Sequence, residues 1–547
     1  MTSTHLRPSR REWVEALGVA AILLVVMTWP TVPHLATVGR LDSGDGKFSI
    51  WNVGWIGHAL LTDPRHLLDA NIFYPHTGTL AYSELNLVAG VLGLPGFAVT
   101  GSAIAATNVA ILLGLLLSFV VTWLLVRRLT RSHGGGLVAA TAFTFCPYLQ
   151  AHTPHIQLLM VFGVPLVFLA FHAFRDETRA LRAAWLGVTL AIAGLACAYY
   201  GIFAGLGLGV LVIALARAER RYWIGLGVAA VVAGIVTLPV FVPYLAARRA
   251  VGAAASVNVE EIRSWSATLA SWRSSPGNLH EAMTGVLTPA PESLFPGFLT
   301  LALAVVGLVH VVRRGGAGER RVAAAYVAVA VFAFWASFGP DAGLYALLMK
   351  VVPAIGFLRA PSRLGLLVML SLAVLGGYGV RALSAKRAWM SMALVPLVAI
   401  ELASLPWSVV PVDPHVPEAY RILASSPRGA VVEFPFKYKR QDFPAHANAM
   451  FNSTYHWQPM VNGYSDVIPQ DFVALAGPIN DFPDPDSFAL IKRLGVRYVL
   501  WHFDDSRGAY DPVSKQKIIE RLPPYDRYLK LLTKDAGVWL YEIGSYP

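Results

Sequence analysis

Apolar residues fill long runs through the first 406 positions, and the polar breaks between them are short. Runs of about 17–25 apolar residues are long enough to cross a bilayer as helices. The pattern predicts about eleven spans, near 12–33, 104–126, 135–149, 155–174, 184–198, 200–216, 222–246, 297–312, 322–338, 364–382 and 389–406. Residues 85–101, "LNLVAGVLGLPGFAVTG", fit less well. A full span there would put Arg127 and Arg128 on the wrong side, and the segment holds Pro95 and four glycines. A re-entrant or interfacial helix packed on protein is expected instead.

The pattern changes after "LASLPWSVVPVDPHVPEAY". Residues 407–547 carry fifteen Lys/Arg and sixteen Asp/Glu and no spanning run. Short runs rich in β-branched and aromatic residues, "AVVEFPF", "VRYVLWHF" and "VWLYEIG", read as strands. Helical patterns lie near 486–494 and 513–521. The predicted fold is a polytopic α-helical membrane protein (residues 1–406) with a small soluble α/β domain (residues 407–547).

Charge adds topology. Only 14% of the 547 residues are charged, against about a quarter in soluble proteins. The net charge is +11, but the basic clusters fall in short gaps between apolar runs. They are Arg10–Arg11, Arg127–Arg128–Arg131, Arg175–Arg179–Arg182, Arg217–Arg220–Arg221, Arg313–Arg314–Arg320–Arg321 and Arg381–Lys386–Arg387. Short basic loops mark the cytoplasmic side. The N-terminus is therefore expected in the cytoplasm. Residues 34–103, 247–296, 339–363 and the C-terminal domain are expected outside. The expected partner is the bilayer, not nucleic acid. The apolar stretch Val14–Val32 is followed by bulky "WPTVPHL", so it reads as a retained helix rather than a cleaved signal. Cys146 and Cys197 lie inside apolar runs and offer no disulfide framework or metal site.

Candidate chemistry gathers outside. "LDSGDGKFSIWNVGWIGHAL" places Asp42, Asp45 and Lys47 just past the first span. Phe48, Trp51, Trp55 and Ala59 then recur at helical spacing, as in a helix lying at headgroup depth. Spacing alone leaves two readings. The carboxylates form an ordinary acidic turn, or they meet a substrate whose tail is in lipid and whose head is in water. Farther along the loop, Tyr74, His76, Tyr82, Glu84 and Asn86 return to the membrane as structuring residues or as pocket lining. His152 and His155 sit at i, i+3 at the outer end of a helix pair. Metal ligation, pocket lining and interfacial placement all remain open for them, and no HExxH or Cys partner supports a metal. Arg359 and Arg363 precede a span on the outside, against the positive-inside tendency. They either pair with lipid headgroups or clamp a phosphate bidentately.

Together "GDGKFSIWNVGWIGHAL", "NIFYPHTGTLAYSE", "FCPYLQAHTPHIQLL" and "LRAPSR" resemble recurring motifs of bacterial members of the GT-C superfamily of polytopic glycosyltransferases. The tail, with "STYHWQPMVNGYSDVIPQDF" and "LGVRYVLWHF", resembles the external domain of YfhO-like membrane proteins, which are linked to glycosylating teichoic acids. The resemblance implies an acidic residue of the first external loop as catalytic base or acceptor-orienting group, with Asp45 first and Asp42 second. It implies a donor sugar on a polyprenyl phosphate and an extracytoplasmic glycan, lipid or protein acceptor. Transfer would invert the anomeric carbon. Arg359, Arg363 and Lys47 would contact the donor phosphate; Glu84, His152, His155, Tyr82, His76 and Trp51 would line the pocket. Some members need a divalent metal, and no clear ligand set is present here. The sequence departs from the pattern after the GD pair, where the family more commonly has a small or apolar residue and this chain has "GKF". Two other readings stand beside this one. A transporter or flippase for a lipid-linked glycan would hold charge near the midplane, and here Glu401 is the clearest charge in a span. A non-catalytic envelope-assembly protein would use the external domain as a binding module.

Overall fold

Each of the eleven apolar runs contains at least one helix in the computed structural model, which describes residues 7–252, 257–283, 287, 290–385, 387, 389–503 and 512–547. Lys386 of the last basic cluster lies outside the described residues, as do parts of the 247–296 loop. Five helices among the described residues are long and apolar enough to cross a membrane: Ala103–Thr130, Ile156–Asp176, Arg220–Ala250, Ala317–Ser337 and Pro361–Ser384. Shorter apolar helices run over Leu87–Thr100, Ala180–Ala196, Ala198–Ala214 and Trp389–Leu402. This is an integral membrane protein.

The first helix, α1 (Arg10–Met27), starts at Ser9, whose side chain accepts from the Glu12 amide while Glu12 reaches back to the Ser9 amide. This reciprocal cap satisfies two amides that the helix itself leaves unpaired. Basic residues near helix ends are tied to acids: Arg127 to Glu12, Arg128 to Asp176, and Arg381 to Glu319. Helix α2 (Gly44–Thr62) covers the tryptophan-bearing stretch. Helix α3 (Leu87–Thr100) covers the irregular segment and contains Pro95. Its 14 residues make about 21 Å at 1.5 Å per residue. That is short of a hydrocarbon core of about 30 Å.

The chain divides into two compact units. One holds Met1–Pro33, Ile111–Pro239 and Ala254–Ser408; the other holds His34–Ala110, Val240–Ala253 and Val409–Pro547. The loop after the first helix therefore packs with the C-terminal segment, whereas its sequence pattern had grouped it with the spans. A short antiparallel ladder already joins them, Val38 to Pro411 and Gly39 to Val410.

The second unit is built on a four-stranded sheet. Strand β1 (Ala430–Phe434) pairs in parallel with β2 (Val496–His502). Strands β3 (Leu529–Asp535) and β4 (Val538–Ile543) form an antiparallel hairpin, and β4 also pairs with β2. The order across the sheet is β1-β2-β4-β3. The hairpin turns on Ala536 and Gly537, at φ +48° and +74°. Both positive angles match the twist that a two-residue hairpin needs. The parallel pair requires a long crossover. Residues 435–495 supply it, with helices Gln470–Asn480 and Pro485–Arg493.

Period-2 alternation sends successive residues to opposite faces. Val431, Tyr498, Leu500, Val538 and Leu540 pack on Ala419, Tyr420 and Leu423 of helix Glu418–Ser425. Val432, Phe434, Val499, Trp501 and Tyr541 face the other way, into a larger core. That core contains Phe472, Phe482, Phe488 and Ile491 of the crossover. It also contains Trp51, Trp55, Phe73 and Tyr82 of the loop.

His456 lies inside this unit, and burial pushes its imidazole down to about 4, against a smaller pull upward from Glu433. Its Nδ1 accepts from the Gln458 amide. An unfolded histidine titrates near 6.5. As pH falls below that value the unfolded chain gains a proton that the folded chain refuses until about 4. Stability of the unit should thus drop between pH 6.5 and 4, by roughly 3 kcal/mol from this residue. His456→Asn keeps an acceptor for the Gln458 amide and should flatten that slope in melting curves taken at pH 7, 6, 5 and 4.5. An unchanged slope would remove His456 as its origin.

Candidate active site

In the second unit the site begins at the first turn of α2. Ser43 caps the helix by accepting from the Gly46 amide at 3.1 Å. Gly46 is required there: a Cβ would fall 1.9 Å from the Arg40 carbonyl oxygen. Asp45 is itself exposed on this first turn, where the helix dipole favours a carboxylate. Asp42 is held by Arg40 through two hydrogen bonds of 2.9 and 3.1 Å. That pairing makes Asp42 a brace for the turn. Lys47, one helical turn from Ser43, donates to the Asn448 side-chain oxygen at 2.7 Å. Gly44 lies against Pro444, whose carbonyl oxygen would be 3.3 Å from a Cβ. The start of α2 is thereby docked on residues 444–448 of the C-terminal segment.

The aromatic and polar residues of this loop hold it in place. Trp51 is 1% exposed, and its indole donates to Asn71 Oδ1 at 2.9 Å. The Asn71 amide in turn reaches the Ser453 hydroxyl and the Gln458 carbonyl. Trp51 is therefore a core residue, not a headgroup contact. Tyr82 is also 1% exposed; burial, with Asp471 adding to it, pushes its phenol up to about 12. His76 pairs with Asp471 at 2.9 Å. Glu84 is half-buried just before α3.

In the first unit a second group forms around breaks in the helices. Helices Ala180–Ala196 and Ala198–Ala214 make a hairpin with Cys197 alone at its corner. The corner is tight, since a Cβ on Gly201 would lie 2.4 Å from the Gly194 Cα. It presents Tyr199 and Tyr200. The Tyr200 hydroxyl donates to the Leu158 carbonyl at 2.7 Å and meets the Tyr148 hydroxyl at 3.2 Å. Pro147 and Pro154 break the preceding segment into short helices, and His152 and His155 lie within that broken stretch. His152 Nδ1 is 2.7 Å from the Tyr148 carbonyl oxygen, which accepts from it. Its Nε2 faces Glu292 at 3.5 Å, an ion-pair distance rather than a tight hydrogen bond.

Arg363 belongs to the same group. It is 5% exposed, and its guanidinium lies over the Tyr199 ring, 4.5 Å from the centroid. Burial raises the Glu292 carboxyl, but His152 and the charges of Arg363 and His155 outweigh it, so the group sits below its ordinary value. Arg359 differs. It is half-buried and 3.6 Å from Glu261, and its amide donates to the Tyr199 hydroxyl. Glu292 and Tyr199 were not singled out in the sequence. The available signal was that Glu292 is the only acid between residues 282 and 318. Glu401, in the apolar helix Trp389–Leu402, accepts from the amides of Phe298 and Leu299 and faces His280 at 3.3 Å. It caps helix Phe298–Arg314. Among the described residues no group of three His, Cys, Asp or Glu could hold a metal ion.

A double-mutant cycle measures the buried pair. His152→Gln, Glu292→Gln and the double variant should show a coupling of roughly 0.5–3 kcal/mol in thermal unfolding, as for residues in contact. Strict additivity would mean that the two side chains do not interact.

No family model and no curated protein matches the chain. Solved structures do. Arabinofuranosyltransferase AftD from mycobacteria superposes with a TM-score of 0.59 at 16% identity, over 98% of this chain and 42% of that one. The oligosaccharyltransferase of Archaeoglobus fulgidus superposes with a TM-score of 0.50 at 12% identity, over 90% of this chain and 68% of that one. This chain thus spans less than half the length of the first. At such identities the likeness shows the fold alone, which this chain shares with these two structures.

Proposed function

We propose that this protein is a membrane glycosyltransferase that moves a sugar from a polyprenyl-phosphate donor to an extracytoplasmic acceptor with inversion. The observation that carries the reading is Asp45, exposed on the first turn of α2 in a fold shared with two sugar transferases. In this reading the eleven apolar helices span the inner membrane of a bacterium, with the N-terminus in the cytoplasm and residues 407–547 outside. Asp45 takes the proton of the acceptor hydroxyl as its oxygen attacks the anomeric carbon. The bond from that carbon to the donor phosphate breaks, and the lipid phosphate leaves with the electron pair. Attack from the face opposite the leaving group inverts the configuration.

The leaving phosphate develops charge, which fixed cationic donors stabilise best in a dry site. Arg363 suits this role better than Arg359. Its charge is buried against the Tyr199 ring and feels the Glu292 carboxylate, whereas Arg359 is more exposed and faces Glu261. His152 and His155 line the same group, while Lys47 steadies the start of α2.

The test uses wild type, Asp45→Asn and Arg363→Lys, each purified in lipid and checked for equal melting. Each is given a panel of polyprenyl-phosphate sugars, and donor consumption is followed. Asp45→Asn should lower the rate about 10²–10⁴-fold, the usual worth of a positioned base. Arg363→Lys should lower it about 10²–10³-fold, as for loss of a fixed charge donor. Equal rates in Asp45→Asn and wild type would remove Asp45 as the base. No consumption of any donor by wild type would remove the transferase reading.

A further inference from the structure

Residues 342–358 follow the helix Ala317–Ser337, one of those long and apolar enough to cross a membrane. The stretch reads "AGLYALLMKVVPAIGFL", and its one charged residue is Lys350. It forms the helix Leu344–Val351 and a turn over Pro353–Phe357. The helix has 8 residues, about 12 Å at 1.5 Å per residue. A hydrocarbon core is about 30 Å thick. The stretch is as apolar as a span and cannot be one.

One side of it is fixed to the first unit. Tyr345 and Ile355 are buried. The Tyr345 hydroxyl donates to the Leu358 carbonyl at 3.1 Å, and the Val257 amide donates to the Gly356 carbonyl at 2.9 Å. The other side is open: Leu347 is 56% exposed, Val351 68% and Phe357 52%. Leu347 and Val351 are four residues apart and share a helix face. Large apolar side chains grouped this way mark an interaction surface.

The surroundings say what covers it. The stretch begins where the helix Ala317–Ser337 ends, and Trp335 joins the two, its indole donating to the Ala342 carbonyl at 2.8 Å. Val331, Phe334 and Trp335 are exposed on one face of that helix, where a membrane helix meets lipid. The open side of 342–358 continues that surface. Tryptophan near the end of a span marks headgroup depth. Charge is kept apart from the patch: Arg263 pairs with Glu260 and Asp341, and Arg359 with Glu261. Lys350 suits the same depth, since a lysine lays its stem on apolar surface and keeps its ammonium in the polar layer.

We infer that residues 344–357 bind the phospholipid surface at the Ser337 end of that helix. They lie within one leaflet on the face of Leu347, Val351 and Phe357, with Lys350 toward the headgroup phosphates. The next apolar helix begins at Pro361, so the contact holds its start, with Arg359 and Arg363, at headgroup depth. The inference goes beyond the transferase reading and does not rest on it.

The experiment measures depth in the full chain in phospholipid nanodiscs. Leu347→Cys, Val351→Cys and Phe357→Cys each carry a nitroxide. Collisions with oxygen, which concentrates in lipid, are compared with collisions with a nickel chelate, which stays in water. Val331→Cys is the lipid reference and Arg440→Cys the water reference. Cys146 and Cys197 are buried, and wild type taken through the same labelling gives the blank. All three positions should favour oxygen, at a depth of about 5–10 Å below the headgroups. The sites are exposed, so each variant should melt as wild type does; if one does not, the other two decide. The proposal is overturned if Leu347→Cys or Val351→Cys favours the nickel chelate as Arg440→Cys does, which would put the face in water. It is equally overturned if neither probe reaches them, which would mean that protein covers the face.

Discussion

Segments 34–110 and 409–547 cannot bury their aromatic residues alone, and they do so in one core. Trp51, Phe73 and Tyr82 from the first meet Val432, Phe434, Phe472 and Trp501 from the second. Each of these large side chains removes apolar area from water worth about 1.5–3 kcal/mol when fully buried. The polar groups they carry inward are matched across the same seam. Trp51 bonds Asn71, Asn71 bonds Ser453 and the Gln458 carbonyl, and the Met460 amide returns to the Asn71 carbonyl. This junction fixes the start of α2, and with it Asp45 and Lys47. A catalytic group on a loop gains its precision from such a supporting shell.

The two units handle charge in different ways. In the first, each charge drawn into the apolar part has a local answer: Glu401 caps a helix, and Arg363 has an aromatic face and Glu292 nearby. Such pairing is what burial of a charge demands. A transport pathway would leave ionisable groups facing a cavity at mid-depth, and Glu401 does not stand that way. In the second unit, Asp42 and His76 are spent on bracing. Asp45 is exposed on the first turn of α2.

The helices were legible because length and hydropathy are local properties. Each apolar run from 12–33 to 389–406 contains a helix, and so does the irregular segment 85–101. Strands β1, β2 and β4 were legible from β-branched and aromatic runs. Strand β3 was not: "LKLLTKD" is an edge strand, largely exposed, and carries little alternation. The union of loop and tail was not legible either, because contacts such as Asn71 with Gln458 are 387 residues apart and leave no periodic trace. For the same reason Trp51 read as a headgroup residue and proved to be core. Within the candidate site, Asp45, His152 and Arg363 stood out by chemistry and position. Glu292 and Tyr199 acquire meaning only from what the fold sets around them.

The central claim is sugar transfer by direct displacement, with a single carboxylate as base. Its most direct test is the stereochemistry of the product. Wild-type protein in lipid would be given a donor of known anomeric configuration, labelled with ¹³C at the anomeric carbon. The product would be read by NMR before any spontaneous equilibration. The account predicts a product of opposite configuration. A product of retained configuration would contradict direct displacement and require a covalent sugar–enzyme intermediate instead.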